Sequence, residues 1–167
     1  MFDITGFSKD YDVRKLTETD IPDMLSLCEG NPQYYRYCPP TVSAENLKAD
    51  LTALPPGKMP EDKYFVGYFQ DGHLIALLDL IDGFPDSSIA YIGFFMMDRS
   101  VSGEGIGSRI ISELCEYLAS AGARAVRLCW VEGNPQAEHF WKKNGFIETG
   151  VKSRREAYTV TVAERKL

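Results

Sequence analysis

The chain has 167 residues, 44% of them hydrophobic and 25% charged, the proportions of a globular protein with length for one sizeable core. Its net charge of −6 argues against a nucleic-acid partner, which would need basic patches, and fits either simple solubility or an amine substrate that arrives as a cation. No apolar run is as long as a membrane span, and Met1–Gly6 has neither a basic region nor a signal core; no membrane partner and a cytoplasmic location are expected.

Tyr11–Leu16 alternates as a first strand. Thr17-Glu18-Thr19-Asp20 supplies helix-start residues, with Pro22 in the first turn. Ile21, Met24, Leu25 and Cys28 then share one helical face, and Gly30-Asn31-Pro32 ends the helix. Gln33–Pro40 places Tyr34, Tyr35 and Tyr37 beside a double proline. Ser43 caps a helix predicted from Ala44 to about Leu54, closed by Pro55-Pro56-Gly57. Tyr64–Gln70 and His73–Leu80 flank Asp71-Gly72, a hairpin signal. Gly83-Phe84-Pro85-Asp86 makes the next turn, and a strand from about Ile89 to Met97 runs into three alternating glycines. Ile106, Ile110, Ile111, Leu114, Cys115 and Leu118 recur at helical spacing before Gly122 stops the helix. Val126–Val131 reads as a strand, and Pro135 opens a short helix ending near Asn144-Gly145. Phe146–Lys152 and Ala157–Glu164 read as a closing hairpin. The expectation is a single α/β (α+β) domain over residues 1–167, with a mixed sheet of six or seven strands and about four helices.

The run Phe95-Met96-Met97 … Ser102-Gly103-Glu104-Gly105-Ile106-Gly107-Ser108 carries the strongest chemical signal. Strand, glycine turn and helix start follow directly. Glycines let backbone N–H groups approach a ligand, and a helix N-terminus adds partial positive charge, so such a turn cradles phosphate. The dinucleotide fingerprint G-x-G-x-x-G fails, because Ser108 occupies its third glycine position and no acid follows in Arg124–Leu128. The P-loop pattern fails for lack of Gly-Lys-Ser/Thr. Four widely spaced cysteines, Cys28, Cys38, Cys115 and Cys129, and only two histidines, His73 and His139, predict no disulfide and no metal site.

A second block, Asn134-Pro135-Gln136-Ala137-Glu138-His139-Phe140-Trp141-Lys142-Lys143-Asn144-Gly145-Phe146, lies about 30 residues beyond the glycines. Together the blocks resemble the GNAT (Gcn5-related N-acetyltransferase) superfamily. Its motif Q/R-x-x-G-x-G/A aligns with Ser102-Gly103-Glu104-Gly105-Ile106-Gly107. Its later block, roughly N-x-x-A-x-x-F-Y-x-x-x-G-F, aligns with Asn134, Ala137, Phe140, Trp141, Gly145 and Phe146. The resemblance implies a single GNAT-like domain with a mixed, mostly antiparallel sheet. It implies an acetyltransferase that uses acetyl-coenzyme A, whose thioester a primary amine of a small molecule or protein attacks directly. The backbone of Gly103–Ser108 would grip the pyrophosphate, and the Phe95-Met96-Met97 edge would pair with the pantetheine arm in a gap before Val126–Val131. Asn134 would contact the cofactor or cap the helix at Pro135.

The chain departs from the family at two positions. Ser102 replaces the usual Gln or Arg. Trp141 replaces a tyrosine that protonates the leaving thiolate in many members, and an indole N–H is no usable acid near neutral pH. Tyr158, or one of Tyr34, Tyr35 and Tyr37, could take over as acid. Tyr91, eleven residues before Ser102 where some members carry a glutamate, reads as a poor base that lines substrate or packs the core. Asp79 and Asp82 are the alternative carboxylates, with loop capping their ordinary role. In the family the segment holding Tyr34–Pro40 helps form the acceptor pocket, and its rings offer π-faces to an ammonium. Cys129 reads as a small core residue, Trp141 as packing between helix and sheet, and His139 as surface. A non-catalytic acyl-coenzyme A module or sensor is the alternative function, and monomer and homodimer both stay open.

Overall fold

The computed structural model describes all residues, 1–167. Seven strands join one sheet in the order β1-β2-β3-β4-β5-β7-β6. They are β1 (Asp12–Lys15), β2 (Lys63–Gln70), β3 (His73–Ile81), β4 (Ile89–Met97), β5 (Ala125–Val131), β6 (Ile147–Arg154) and β7 (Thr159–Lys166). Every neighbouring pair is antiparallel except β4 with β5. That parallel pair needs a crossover, which α4 (Ile106–Ser120) supplies. The other helices are α1 (Ile21–Glu29), α2 (Pro32–Tyr37), α3 (Ala44–Asp50) and α5 (Pro135–Lys143). The sheet is the mixed, mostly antiparallel one the sequence implies, with five helices rather than about four.

Both faces are covered, which is why β2 is buried along nearly its whole length and reads as a continuous apolar run. On one face α4 presses Ile110, Ile111, Leu114 and Leu118 onto Val66, Leu78, Ile92 and Val126. Each of those helix side chains is fully buried and contributes roughly 1.5–3 kcal/mol. On the other face Met24, Leu27 and Cys28 of α1 and Leu47 of α3 cover Phe65, Phe69, Leu77 and Met96. Gly122, at φ +95°, lets the Ala123 N–H turn back to the Leu118 carbonyl and stops α4.

Two helices differ from the expectation. α3 ends at Asp50, four residues short of Leu54, with the Thr52 and Ala53 N–H groups both returning to Ala49 O. Pro55 disfavours helical backbone at the residue before it, so the chain turns early. α2 forms where Asn31-Pro32 reads only as a stop: Pro32 takes the first helical position, which needs no N–H, and six residues are too few to show a period.

Candidate active site

β4 and β5 pair only from Ile89–Ile92 to Ala125–Leu128. Beyond that, Phe94–Met97 stays with β3 while Cys129–Val131 stays with β7. The register of β3 with β4 slips between Asp79 and Leu80, leaving Gly93 as an extra residue at the point of divergence. A Cβ there would lie 2.9 Å from the Asp79 Oδ2, so any larger residue at the bulge would push the Asp79 carboxylate aside. Two clefts open into the resulting V and share Tyr34, Phe95, Asn134, Ala137 and Trp141 as common wall.

The larger cleft, about 370 Å³, runs along Phe95-Met96-Met97 to the glycine turn. Gly103 and Gly105 have φ +90° and +79°, and a Cβ at either would meet nothing within 4 Å. The backbone is therefore bare on its open side. None of the N–H groups from Gly103 to Ser108 donates within the protein, and Gly105 sits as the N-terminal cap of α4 with no side chain to satisfy them. Six consecutive free donors at a helix start form an anion cradle. Ser102, Gly103, Gly105, Gly107 and Ser108 line the cleft; Glu104 is exposed and Ile106 packs on the core, so those two offer only backbone. Ser102 spends its hydroxyl on Asp98 O at 3.1 Å. Gly107 meets a different constraint: a Cβ there would lie 3.3 Å from the Phe140 ring, which would have to give way.

Residues beyond the sequence expectation complete this cleft. Arg99 reaches it from the turn after β4, and Gln136, His139 and Lys143 from α5. The spacing of the last three, i, i+3 and i+7, puts them on one helical face and was the available signal. Asn31 lines the cleft too, its side-chain amide donating to Leu27 O at 3.0 Å and to Met97 O at 2.9 Å. Asn134 is 4% exposed; its Oδ1 accepts from Ala137 N, so it caps α5 while facing both clefts. Trp141 is 8% exposed and packs on Phe95, Phe140 and Phe146 at centroid distances of 5.9, 4.9 and 5.2 Å.

The smaller cleft, about 240 Å³, opens on the side of α2 and the β6–β7 turn. Among its polar groups, beside Tyr34, Asn134 and Arg155, are two thiol–phenol pairs. The Cys38 thiol donates to the Tyr158 hydroxyl at 3.4 Å, and the Tyr91 hydroxyl lies 3.3 Å from the Cys129 sulfur. Burial pushes the Tyr34 and Tyr91 phenols well above their ordinary range, and the bond from Cys38, then burial, takes Tyr158 up to about 12. All three stay protonated at neutral pH, as donors rather than bases. Cys129 is a cleft-wall residue and not the core residue its apolar strand suggests.

Of the three tyrosines on α2, only Tyr34 lines the clefts, its ring edge-on to Phe94 at 5.8 Å. Tyr35 packs against the α1–α3 core and Tyr37 is half-buried outside both clefts. Asp79 caps no loop: it sits within β3, its Oδ1 2.7 Å from the Lys63 ammonium, whose side chain is 5% exposed. Burial raises the Asp79 carboxyl, opposed by Lys63. It lies behind Gly93 and outside the lining of either cleft. Asp82 follows β3 and donates its backbone N–H to Asp62 O.

The sequence matches the family model of the acetyltransferase (GNAT) family over residues 26–146, and the chain belongs to that family. It is 27% identical over 156 residues to an uncharacterized N-acetyltransferase from Methanocaldococcus jannaschii, covering 89% of this chain and 66% of the relative, so the chain spans just under two thirds of that protein's length. An acetyltransferase from Thermus thermophilus superposes with a TM-score of 0.76 at 20% identity, covering 94% of this chain and 97% of that one. The PaiA N-acetyltransferase from Thermoplasma acidophilum, solved in complex with coenzyme A, gives 0.69 at 19% identity, covering 94% and 99%. At these identities the two structures share the fold. No helix is long and apolar enough to cross a membrane.

Proposed function

We propose that the protein, with residues 1–167 acting as one domain, is an N-acetyltransferase that moves an acetyl group from acetyl-coenzyme A to a primary amine. The observation that carries this reading is the row of six free N–H groups at the start of α4, opening into the V between β4 and β5. That row fits a pyrophosphate, Arg99 and Lys143 add the cations a polyanionic cofactor requires, and the unpaired edge at Phe95-Met96-Met97 suits an amide-bearing arm. The backbone groups of Phe95 and Met97 face the open edge while those of Met96 face β3, and Asn31 already occupies the Met97 carbonyl, which leaves Phe95 and the Met97 N–H to pair with the arm. Bound there, acetyl-coenzyme A supplies an acetyl thioester for direct attack and a thiolate as leaving group.

Five residues line both clefts, and Tyr34 is the one among them whose side chain can give up a proton. We assign it the donor role that Trp141 cannot fill; Tyr91 and Tyr158 line only the acceptor side. No carboxylate lines the acceptor cleft, so the incoming ammonium loses its proton to water, and orientation in the V carries much of the rate. The acceptor is a small-molecule amine or a protein amino group in this reading; nucleic acid and membrane have no part in it.

Coenzyme A titrations with Gly105→Val test the assignment, with Gly103→Val as a second variant and melting curves to confirm folding. The side chain would intrude on the bare face of the turn and demand a backbone conformation that β-branched residues rarely adopt. Affinity should fall at least tenfold; unchanged affinity in folded variants overturns it. Coenzyme A binding by the wild type without thiol release across an amine panel would instead identify a binding module.

A further inference from the structure

The acceptor cleft has one formally charged lining residue, and it is a cation. Arg155 reaches the cleft from the β6–β7 turn, and no acid, lysine or histidine lines the same space. The turn is fixed by the Arg155 N–H donating to Tyr158 O at 2.7 Å, which brings both residues to one wall. The guanidinium makes no hydrogen bond or ion pair within the protein, whereas those of Arg14 and Arg127 are held by Asp20 and Glu164. Its charge is felt inside the cleft, since it favours the ionised forms of both the Tyr91 and Tyr158 phenols. The net charge of −6 is therefore not expressed at this site.

The rest of the wall is apolar and aromatic: Phe94, Leu128, Trp130 and Val160 alternate with the phenols and thiols. Such a wall suits an apolar body, and about 240 Å³ lies below the volume typical of pockets for drug-sized ligands. A polyamine would bring a second ammonium to a cleft with no carboxylate to receive it and an arginine to repel it.

We propose that the acceptor is an amine of the amino-acid class, with an apolar or aromatic body and a carboxylate that Arg155 holds. The inference rests on the acetyltransferase reading for the amine's fate and on the cleft alone for the carboxylate. A guanidinium presents two parallel N–H donors that match a carboxylate, and this geometry also sets which end of the molecule faces the V. Arg155 is then a specificity residue for the acceptor and makes no contribution to coenzyme A binding.

Two measurements test it. The first is calorimetry of N-acetylphenylalanine and N-acetylleucine against their carboxylate-free counterparts, N-acetylphenethylamine and N-acetylisoamylamine, with wild type and Arg155→Gln. The second is thiol release from acetyl-coenzyme A with the corresponding four free amines. The wild type should bind at least one carboxylate form roughly tenfold tighter than its counterpart, with the same preference in kcat/KM. Arg155→Gln should erase that preference and leave coenzyme A affinity intact. Equal or tighter binding of the carboxylate-free forms, or a preference that survives in Arg155→Gln, overturns the proposal. Carboxylate-selective binding without thiol release would sustain the Arg155 assignment and sink acetyl transfer; thiol release without selectivity would do the reverse.

Discussion

Tyr34 and Trp141 both line the two clefts, and their chemistry divides the work there. The indole packs against three aromatic rings, so Trp141→Phe should lower stability while turnover stays within a few-fold of wild type. Tyr34→Phe keeps the ring and removes the proton; turnover should fall by roughly a hundredfold with the KM for acetyl-coenzyme A unchanged. Steady-state kinetics on both variants settle the assignment, and the opposite order of effects would overturn it. The residue scale is also where sequence reading is uneven. The glycine turn was legible because its function is backbone chemistry, fixed by residues adjacent in the chain. Arg155 was not, because β7 must first pair with β5 before the β6–β7 turn reaches the cleft. Asp79 suggested a loop because it precedes a turn, but it lies opposite Phe65, and the same pairing of β2 with β3 brings the diagonal Lys63 ammonium within 2.7 Å of its carboxylate.

Among the elements, the passage from β1 into α1 depends on one carboxylate. Asp20 accepts from the Thr17 N–H at 2.8 Å and from both terminal nitrogens of Arg14, at 2.7 and 3.1 Å. Arg14 holds its carboxyl below the ordinary value of 3.8, helped by Thr17. A depressed folded-state value adds stability that is complete above the unfolded value and is lost as pH falls through the folded one. Asp20→Asn should thus cost about 1–2 kcal/mol near neutral pH, and the gap between the two proteins should begin to narrow below about pH 4 and shrink further as pH falls through the lowered folded-state value. Urea midpoints taken from pH 7 down to pH 3 check this; a gap that does not narrow in acid would assign the role to shape rather than charge. Long elements with a clear period, α4 above all, were readable to within a residue or two. α2 was not, since its six residues are ordered by packing on α1, α3 and β4 rather than by a pattern of their own.

Across the whole molecule, the two halves of the sheet meet through four residue pairs of β4 and β5 and through α4. A ligand in the V makes contacts that the unfolded chain cannot, so coenzyme A at about a hundred times its Kd should add about 2.7 kcal/mol, or roughly 5–10 °C in melting temperature. Hydrogen exchange should slow at residues 94–97 and 103–108; slowing confined to other strands would place the ligand elsewhere. The order of strands and helices was legible except for α2, whereas the V came only from the family resemblance, because it arises where pairing stops and no local pattern marks it. Asn31 gives this architecture its linkage. Its one amide nitrogen ties the last turn of α1 to the end of β4, and α2, with Tyr34, begins at the next residue. The strand that would carry the donor and the helix that faces the acceptor are thus riveted together, and a displacement of either is transmitted to the other as mechanical load.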